Sequence, residues 1–378
     1  MVNMNKNVKR IKWIDGIRGI MILLVILGHY LLAFTSKDGY IGYGSNYSIE
    51  EQLKAFIDNL PLSLLFNNSF PLYVIVLLIS FIPAYKYFKD QNDESIIRQA
   101  KKRYLRFMIP TFLAFVIAFI LYHAGLLFYV QAGQALNNIW LIKMMEIDPS
   151  FLSLLYKGMI LVYIKGCNYI SVSWIMGYLF IGSYITYAIL LLFGRQKKRI
   201  LVYIGLFIFF FIYDQMYIHF LMGIIAADII VNRELNNSKA LNPIVCILLM
   251  FIGFIISGIP NIILPSPLGT YTLSAIGSCL FIVAISEIKS IHNFLENKIL
   301  EVISNYSFSA ILIHIPMLAF ASCGQYLIMA NMGIDKNIII LSIFVLAIPI
   351  QILAVFLFQK IVFFIQNIVE QRLNNVSN

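Results

Sequence analysis

Apolar runs separated by short polar stretches recur along the whole chain. They fall near residues 16–35, 61–85, 107–130, 171–194, 200–213, 217–231, 243–260, 269–286, 304–331 and 337–365. A helix needs about 20 apolar residues to cross the hydrocarbon core of a bilayer. The pattern predicts an all-α, polytopic membrane bundle of about ten transmembrane helices. The fifth and sixth runs are short and separated by "YDQMY", which predicts a tight hairpin at the outer face. The piece 151–164, "FLSLLYKGMILVYI", is short and interrupted by lysine, so an interfacial or re-entrant segment is expected there. Outer loops are expected at 36–60 and 131–170, and a strongly basic inner loop at 86–106. No internal repeat or Gly/Ser linker divides the chain, so 1–378 is expected to be a single domain, with no appended extracellular domain.

Composition agrees with the pattern. Hydrophobic residues make up 60% of the chain and charged residues 12%, with a mean hydropathy of +0.84. Soluble domains run near a quarter charged. The net charge of +10 could point to nucleic acid, but the basic residues sit at the ends of apolar runs, as topology anchors do. Nucleic acid is therefore not an expected partner, whereas the lipid bilayer is. With the N-terminus inside, twenty-one of the 28 lysines and arginines fall on inner segments, among them Lys6, Lys9, Arg10 and Lys239. Six fall on outer ones, including Lys37 and Lys54. The positive-inside rule then places both termini in the cytoplasm and the chain, as a multi-pass protein, in the inner (cytoplasmic) membrane. Cys167, Cys246, Cys279 and Cys323 have no paired spacing, so neither a disulfide framework nor a metal site is expected. The first apolar run lacks a small-residue cleavage site and is too long for a signal peptide, so it is read as a permanent span.

That first run, "KWIDGIRGIMILLVILGHYLL" (12–32), carries the candidate chemistry. Eleven steps of about 100° bring Arg18 and His29 onto one helix face, about 16 Å apart along the axis. Ionisable groups inside a membrane are costly and tend to face a polar path. Arg18 is always charged and can grip phosphate in a bidentate fork. The imidazole of His29 can accept a proton from a hydroxyl near neutral pH. Asp15, three residues before Arg18, sits where a helix N-terminus favours an acid. A cationic inner entrance with a base beyond it suits a phosphate-bearing donor that reaches in from the cytosol.

These residues also resemble a known family. "IDGIRGIMILLVILGH" is similar to the opening helix of the acyltransferase-3 family of bacterial integral-membrane O-acyltransferases, in which a basic residue, ten others and a histidine recur; Arg18 and His29 match. "RYLR", with Arg103 and Arg106, resembles the family's arginine pair. "SWIMGYLFIGS", "FLMGIIAAD" and "NYSFSAILIHIP" resemble three further family segments, in the expected order. The resemblance implies an enzyme that moves an acyl group, acetyl by expectation, from cytoplasmic acyl-coenzyme A to a hydroxyl of a cell-surface or lipid-linked carbohydrate. It implies His29 as the catalytic base, with Arg18, Arg103 and Arg106 on the donor's phosphates. Asp15, Trp174, Tyr178 and His314 would support the site or shape the acceptor side. No tightly bound cofactor is implied; acyl-coenzyme A and the carbohydrate are the partners, joined by a separate extracellular transferase or glycan-synthesis complex if a second step follows.

Two positions depart from the family pattern: Leu179 stands where glutamate is usual, and Ile175 where threonine is usual. The second span reads "PLYVIVLLIS" and lacks the usual Ser-Gly. Rival readings are a transporter of polysaccharide or lipid-linked sugar and a non-catalytic partner in envelope synthesis. Among other residues, Asp228 lies close to Arg233 in sequence, where a helix-end ion pair is expected. Pro316 should loosen the helix beside His314. His292 is expected in an inner loop, and His123 and His219 nearer the outer surface.

Overall fold

The computed structural model describes residues 11–35, 60, 62–66, 69–238, 240–259 and 270–376. The anchors Lys6, Lys9, Arg10, Lys37, Lys54 and Lys239, and the expected outer loop 36–60 apart from Leu60, lie outside the described residues. Among those that are described, every regular element is helical. The main helices are α1 (Lys12–Phe34), α2 (Ser69–Asp90), α3 (Asp93–His123), α4 (Tyr129–Leu136), α5 (Met176–Phe193) and α6 (Arg199–Tyr213). They continue with α7 (Ile218–Leu235), α8 (Pro243–Gly258), α9 (Thr270–Ser286), α10 (Lys298–Met317), α11 (Cys323–Asn331) and α12 (Lys336–Val376).

Among the described residues, seven stretches are long and apolar enough to cross a membrane: α1, α2, α3, Ser171–Phe193, Gln215–Leu235, Lys298–Asn331 and Lys336–Arg372. The count reaches eight, not the expected ten, if Tyr271–Ser286 and Lys289–Leu295, bent by 98°, are taken as one span. The two remaining expected spans are the shorter helices α6 and α8, of 15 and 16 residues. The chain is a multi-pass membrane protein. Its last helix has 41 residues, about 60 Å of rise, or roughly twice the hydrocarbon thickness.

Several local expectations are met and others corrected. Between α6 and α7 the chain turns through Asp214, whose carboxylate accepts the Met216 N–H at 3.0 Å, and one 3-10 turn at Gln215–Tyr217. That is the tight connection expected from "YDQMY". Residues 151–164 form a short apolar helical segment with a π turn at Lys157–Leu161. The basic stretch 86–106, expected as a loop, is helical except for Gln91 and Asn92. Gln91 takes a left-handed φ of 51°. The Asn92 side chain then accepts the Ser95 N–H at 3.0 Å, and Asp93 and Glu94 occupy the first turn of α3, where acids complement the helix dipole. The rest of the stretch is rich in helix formers and has no glycine to stop it. His292, expected in a loop, is on the short helix Lys289–Leu295, and its ring stacks on Trp13 at 4.9 Å.

The chain divides into two compact units. The first holds Met1–Val25, Ile57–Lys101 and Ile181–Asn305; the second holds Ile26–Phe56, Lys102–Phe180 and Tyr306–Asn378. Helices α1, α3, α5 and α10 contribute residues to both. In the first unit α2, α7, α8 and α9 pack together. Gly223 of α7 lies so close to α2 that a Cβ there would overlap Ser80 and the Leu77 carbonyl. In the second unit α4 packs on the turn Ile139–Ile142 and on α11, which also meets α12.

Candidate functional site

In the second unit, the last turns of α1 are fastened by Asn138. Its amide donates to the carbonyls of Leu32 and Ala33 at 2.7 and 3.1 Å, two of the acceptors a helix end leaves unsatisfied. Its side-chain oxygen in turn accepts the Leu141 N–H at 2.9 Å, capping the turn Ile139–Ile142. That turn carries Trp140. The indole stacks on the half-buried ring of His29, with centroids 5.6 Å apart and planes 18° from parallel.

His29 has a second ring neighbour. Its Nδ1 lies 3.1 Å from Nε2 of His314, which is completely buried on α10. The other nitrogen of His314, Nδ1, faces the carbonyls of Ile311 and Ala310 at 3.0 and 3.2 Å. Just beyond, Pro316 lacks the N–H that a helix interior uses. The ladder widens into a π turn at Leu318–Ser322, a form often found where a helix is locally reshaped. The Ala319 carbonyl of that turn accepts the Phe128 N–H at 2.9 Å. Pro316 thus loosens the chain beside His314, as expected.

The neighbour of His29 in sequence, Tyr30, points into another polar cluster. Its hydroxyl donates to Gln351 Oε1 at 2.7 Å and accepts from Ser322 at 3.2 Å. The Gln351 amide nitrogen is buried and has no hydrogen-bond partner.

Arg103 and Arg106 both lie on α3 in the second unit. Arg103 is half-buried, its guanidinium 4.4 Å from the centre of the Phe107 ring. Phe107 is itself braced edge-on by Phe308 at 5.2 Å. Arg106 is exposed. Trp174 sits in the 3-10 turn Ser171–Ile175, edge-on to Tyr178 at 6.3 Å, and its carbonyl crowds Gly166, whose φ is +71°. Leu179, the residue at the usual glutamate position, is buried at 6% exposure.

In the first unit, Arg18 is held by α1 and α10. Its Nε donates to Ser304 Oγ at 2.8 Å, and its Nη2 donates to Asp15 at 3.0 Å and to the Ser304 carbonyl at 3.3 Å. Asp15 is buried and also accepts from the Ser304 hydroxyl at 3.4 Å. Gly19, one residue beyond Arg18, permits this approach: a Cβ there would lie 2.8 Å from the Leu300 carbonyl oxygen of α10. Asp228 and Arg233 do not pair with each other as expected. Asp228 is held by Arg199, by Tyr203 at 3.0 Å and by Asn232 at 2.7 Å, while Arg233 meets Glu287 at 2.7 Å. His219 is completely buried, with Ser274 at 3.2 Å and Tyr73 stacked on its ring.

A family model described as "Acyltransferase domain", that of acyltransferase-3, matches residues 11–358 of the chain. The chain belongs to the acyltransferase-3 family. No curated protein and no solved structure shows a significant match. The match includes residues of both units and every candidate site residue named above. Within this family member, the structure brings His29 together with His314, and Arg18 with Asp15. Trp140 and Asn138 were missed by reading the sequence. An Asn-Asn pair before an apolar turn, "NNIWLI", is a helix-capping signal. Nothing in it reveals that Trp140 would cover a histidine more than a hundred residues earlier.

Proposed function

We propose that this acyltransferase-family protein moves an acyl group, acetyl by expectation, from acyl-coenzyme A to a hydroxyl of a cell-surface or lipid-linked carbohydrate. It would do so in the cytoplasmic membrane, with both termini inside. The observation that supports this most is the setting of His29. An imidazole at this position of the family motif is half-buried, stacked by Trp140 and hydrogen-bonded to a second imidazole. That arrangement orients the ring, which suits a general base.

In this reading the acceptor hydroxyl gives its proton to His29 as its oxygen bonds to the acyl carbon. The carbon–sulfur bond of the thioester then breaks, and the coenzyme A sulfur takes the proton back from the ring. Arg103 and Arg106 would hold the donor's phosphates, as the family pattern implies. Arg18 would add its charge, kept in a fixed orientation by Asp15 and Ser304. Trp174, Tyr178 and the buried Leu179 would shape the acceptor side.

The test is a strain lacking the gene and complemented with variants. His29→Ala and His29→Gln should abolish O-acetylation of envelope glycan, read by mass spectrometry, at normal protein levels. Unchanged acetylation with both would remove His29 from the chemistry.

A further inference from the structure

Two helices of the second unit lose their regular ladder beside the same side chain. On α10 the π turn Leu318–Ser322 ends at Ser322, and π turns inside helices recur at functional sites. On α12 Pro349 stands two residues before Gln351, and a proline inside a helix has no N–H for the carbonyl four residues earlier. Tyr30 of α1 joins the two places. Its hydroxyl accepts from Ser322 at 3.2 Å and donates to Gln351 Oε1 at 2.7 Å.

The direction of that relay decides what Gln351 can offer. A carboxamide has an oxygen that accepts and an NH2 that only donates. The Tyr30 hydroxyl occupies the oxygen, so the NH2 is the end left over. It is buried and has no partner, on a residue only 6% exposed. The other unpaired buried side-chain atoms among the described residues are hydroxyls, which can turn and can either donate or accept. The Gln351 nitrogen has no such freedom. A buried donor left unpaired costs free energy, which an oxygen from outside the chain would return.

The chemistry of that oxygen follows from the relay. Tyrosine, glutamine and serine carry no charge near neutral pH, so nothing in the relay balances an ion. An uncharged oxygen fits, and a carbohydrate hydroxyl and an acyl carbonyl each supply one. Depth favours the hydroxyl. Tyr30 lies eighteen residues beyond Lys12 on α1, about 27 Å of rise, against about 30 Å of hydrocarbon. In the proposed orientation that is the outer side, from which the carbohydrate approaches.

We propose that Gln351 binds the acceptor: its amide donates to a hydroxyl of the carbohydrate. Tyr30, itself held by Ser322, is a positioning residue that keeps the NH2 turned to that hydroxyl. This rests on the reading of the protein as an acyltransferase acting on carbohydrate, and its test is separable from that of His29.

The full-length protein in liposomes, with glutamine side chains 15N-labelled, is titrated with envelope glycan isolated from the strain lacking the gene and, separately, with acetyl-coenzyme A. The Gln351 NH2 resonance, identified by its loss in Gln351→Met, should move with the glycan and stay unmoved with acetyl-coenzyme A. In acetyl transfer, Gln351→Met should raise KM for the glycan about 10-fold, the worth of roughly one hydrogen bond, with KM for acetyl-coenzyme A unchanged. Tyr30→Phe should keep the resonance and give a smaller rise, because the amide is present but no longer oriented. A resonance unmoved by the glycan, as a buried water for sole partner would give, overturns the proposal. So does a resonance that moves only with acetyl-coenzyme A, or a wild-type KM for the glycan in Gln351→Met. The glycan-induced shift should persist in His29→Ala. A His29→Ala protein that still transfers acetyl groups would end the base assignment and leave the Gln351 result standing.

Discussion

The two units treat buried polarity differently. In the first, the buried acids Asp15 and Asp228 are each gripped by an arginine and by further donors: Asp15 by Arg18 and Ser304, Asp228 by Arg199, Tyr203 and Asn232. In the second, the polar groups beside α1 are not acids: they are the rings of His29 and His314 and the Tyr30–Gln351–Ser322 chain. Among the described residues, the buried side-chain atoms without a partner follow the same division. Thr111, Tyr163, Tyr169, Ser171 and Gln351 are in the second unit, against Thr272 in the first. An ion pair fixes the helices that carry it. A buried donor without a partner, such as the Gln351 amide nitrogen, costs stability as it stands and gains it when something polar enters. The first unit holds its buried acids in ion pairs, and the second holds most of the buried side-chain atoms that have no partner among the described residues.

The sharpest way to break that contrast is Asp228→Ala. It leaves Arg199 without its acid partner in an environment where Asp228 is only 7% exposed, and losing one member of such a pair costs about 3 kcal/mol. A fall in thermal stability is expected, with acyl transfer per folded molecule unchanged. Loss of transfer at full stability would put the Asp228–Arg199 pair into the chemistry. A smaller effect is expected from Tyr169→Phe. The hydroxyl removed has no partner, and the ring's stacking on Phe115 at 4.5 Å remains. Thermal unfolding should show a change of no more than about 1 kcal/mol, in either direction. A larger loss would mean that the hydroxyl is already in use.

The smallest effect concerns Asp148 in the second unit, outside the spans. The Ser150 N–H and the Ser153 hydroxyl, with the Lys157 ammonium beyond them, hold its carboxyl below the ordinary carboxylate value. A depressed acid gives its full contribution above the unfolded-state value, near pH 4, and loses it as the pH falls toward the lower folded value. Wild type and Asp148→Asn should therefore differ slightly in unfolding temperature at neutral pH and converge on acidification. A gap that widens at low pH would reverse the assignment.

Much of the scaffold was legible in the linear sequence because bilayer thickness sets the length of an apolar run. All ten expected spans have a helical counterpart, although α6 and α8 are short and α9 reaches span length only with its bent neighbour. The basic stretch 86–106 misled because charge marks a membrane boundary but does not stop a helix; only the left-handed Gln91 does that. Partner choice was the least legible property. Asp228 and Arg233 are five apart in sequence, yet packing gives Asp228 a partner from α6 and Arg233 one from the turn after α9. The motif carried His29 and His314 separately, but their hydrogen bond joins positions 285 apart in the sequence. The Asn138 cap and the Trp140 ring over His29 are likewise products of packing.

The central claim is that the α1 imidazole accepts the proton of an attacking hydroxyl. The most direct measurement is the rate at which purified protein in liposomes transfers labelled acetyl from acetyl-coenzyme A to a carbohydrate acceptor, wild type beside His29→Ala. The account predicts transfer by wild type and a background rate for the variant at equal thermal stability. Equal rates from the two would contradict it.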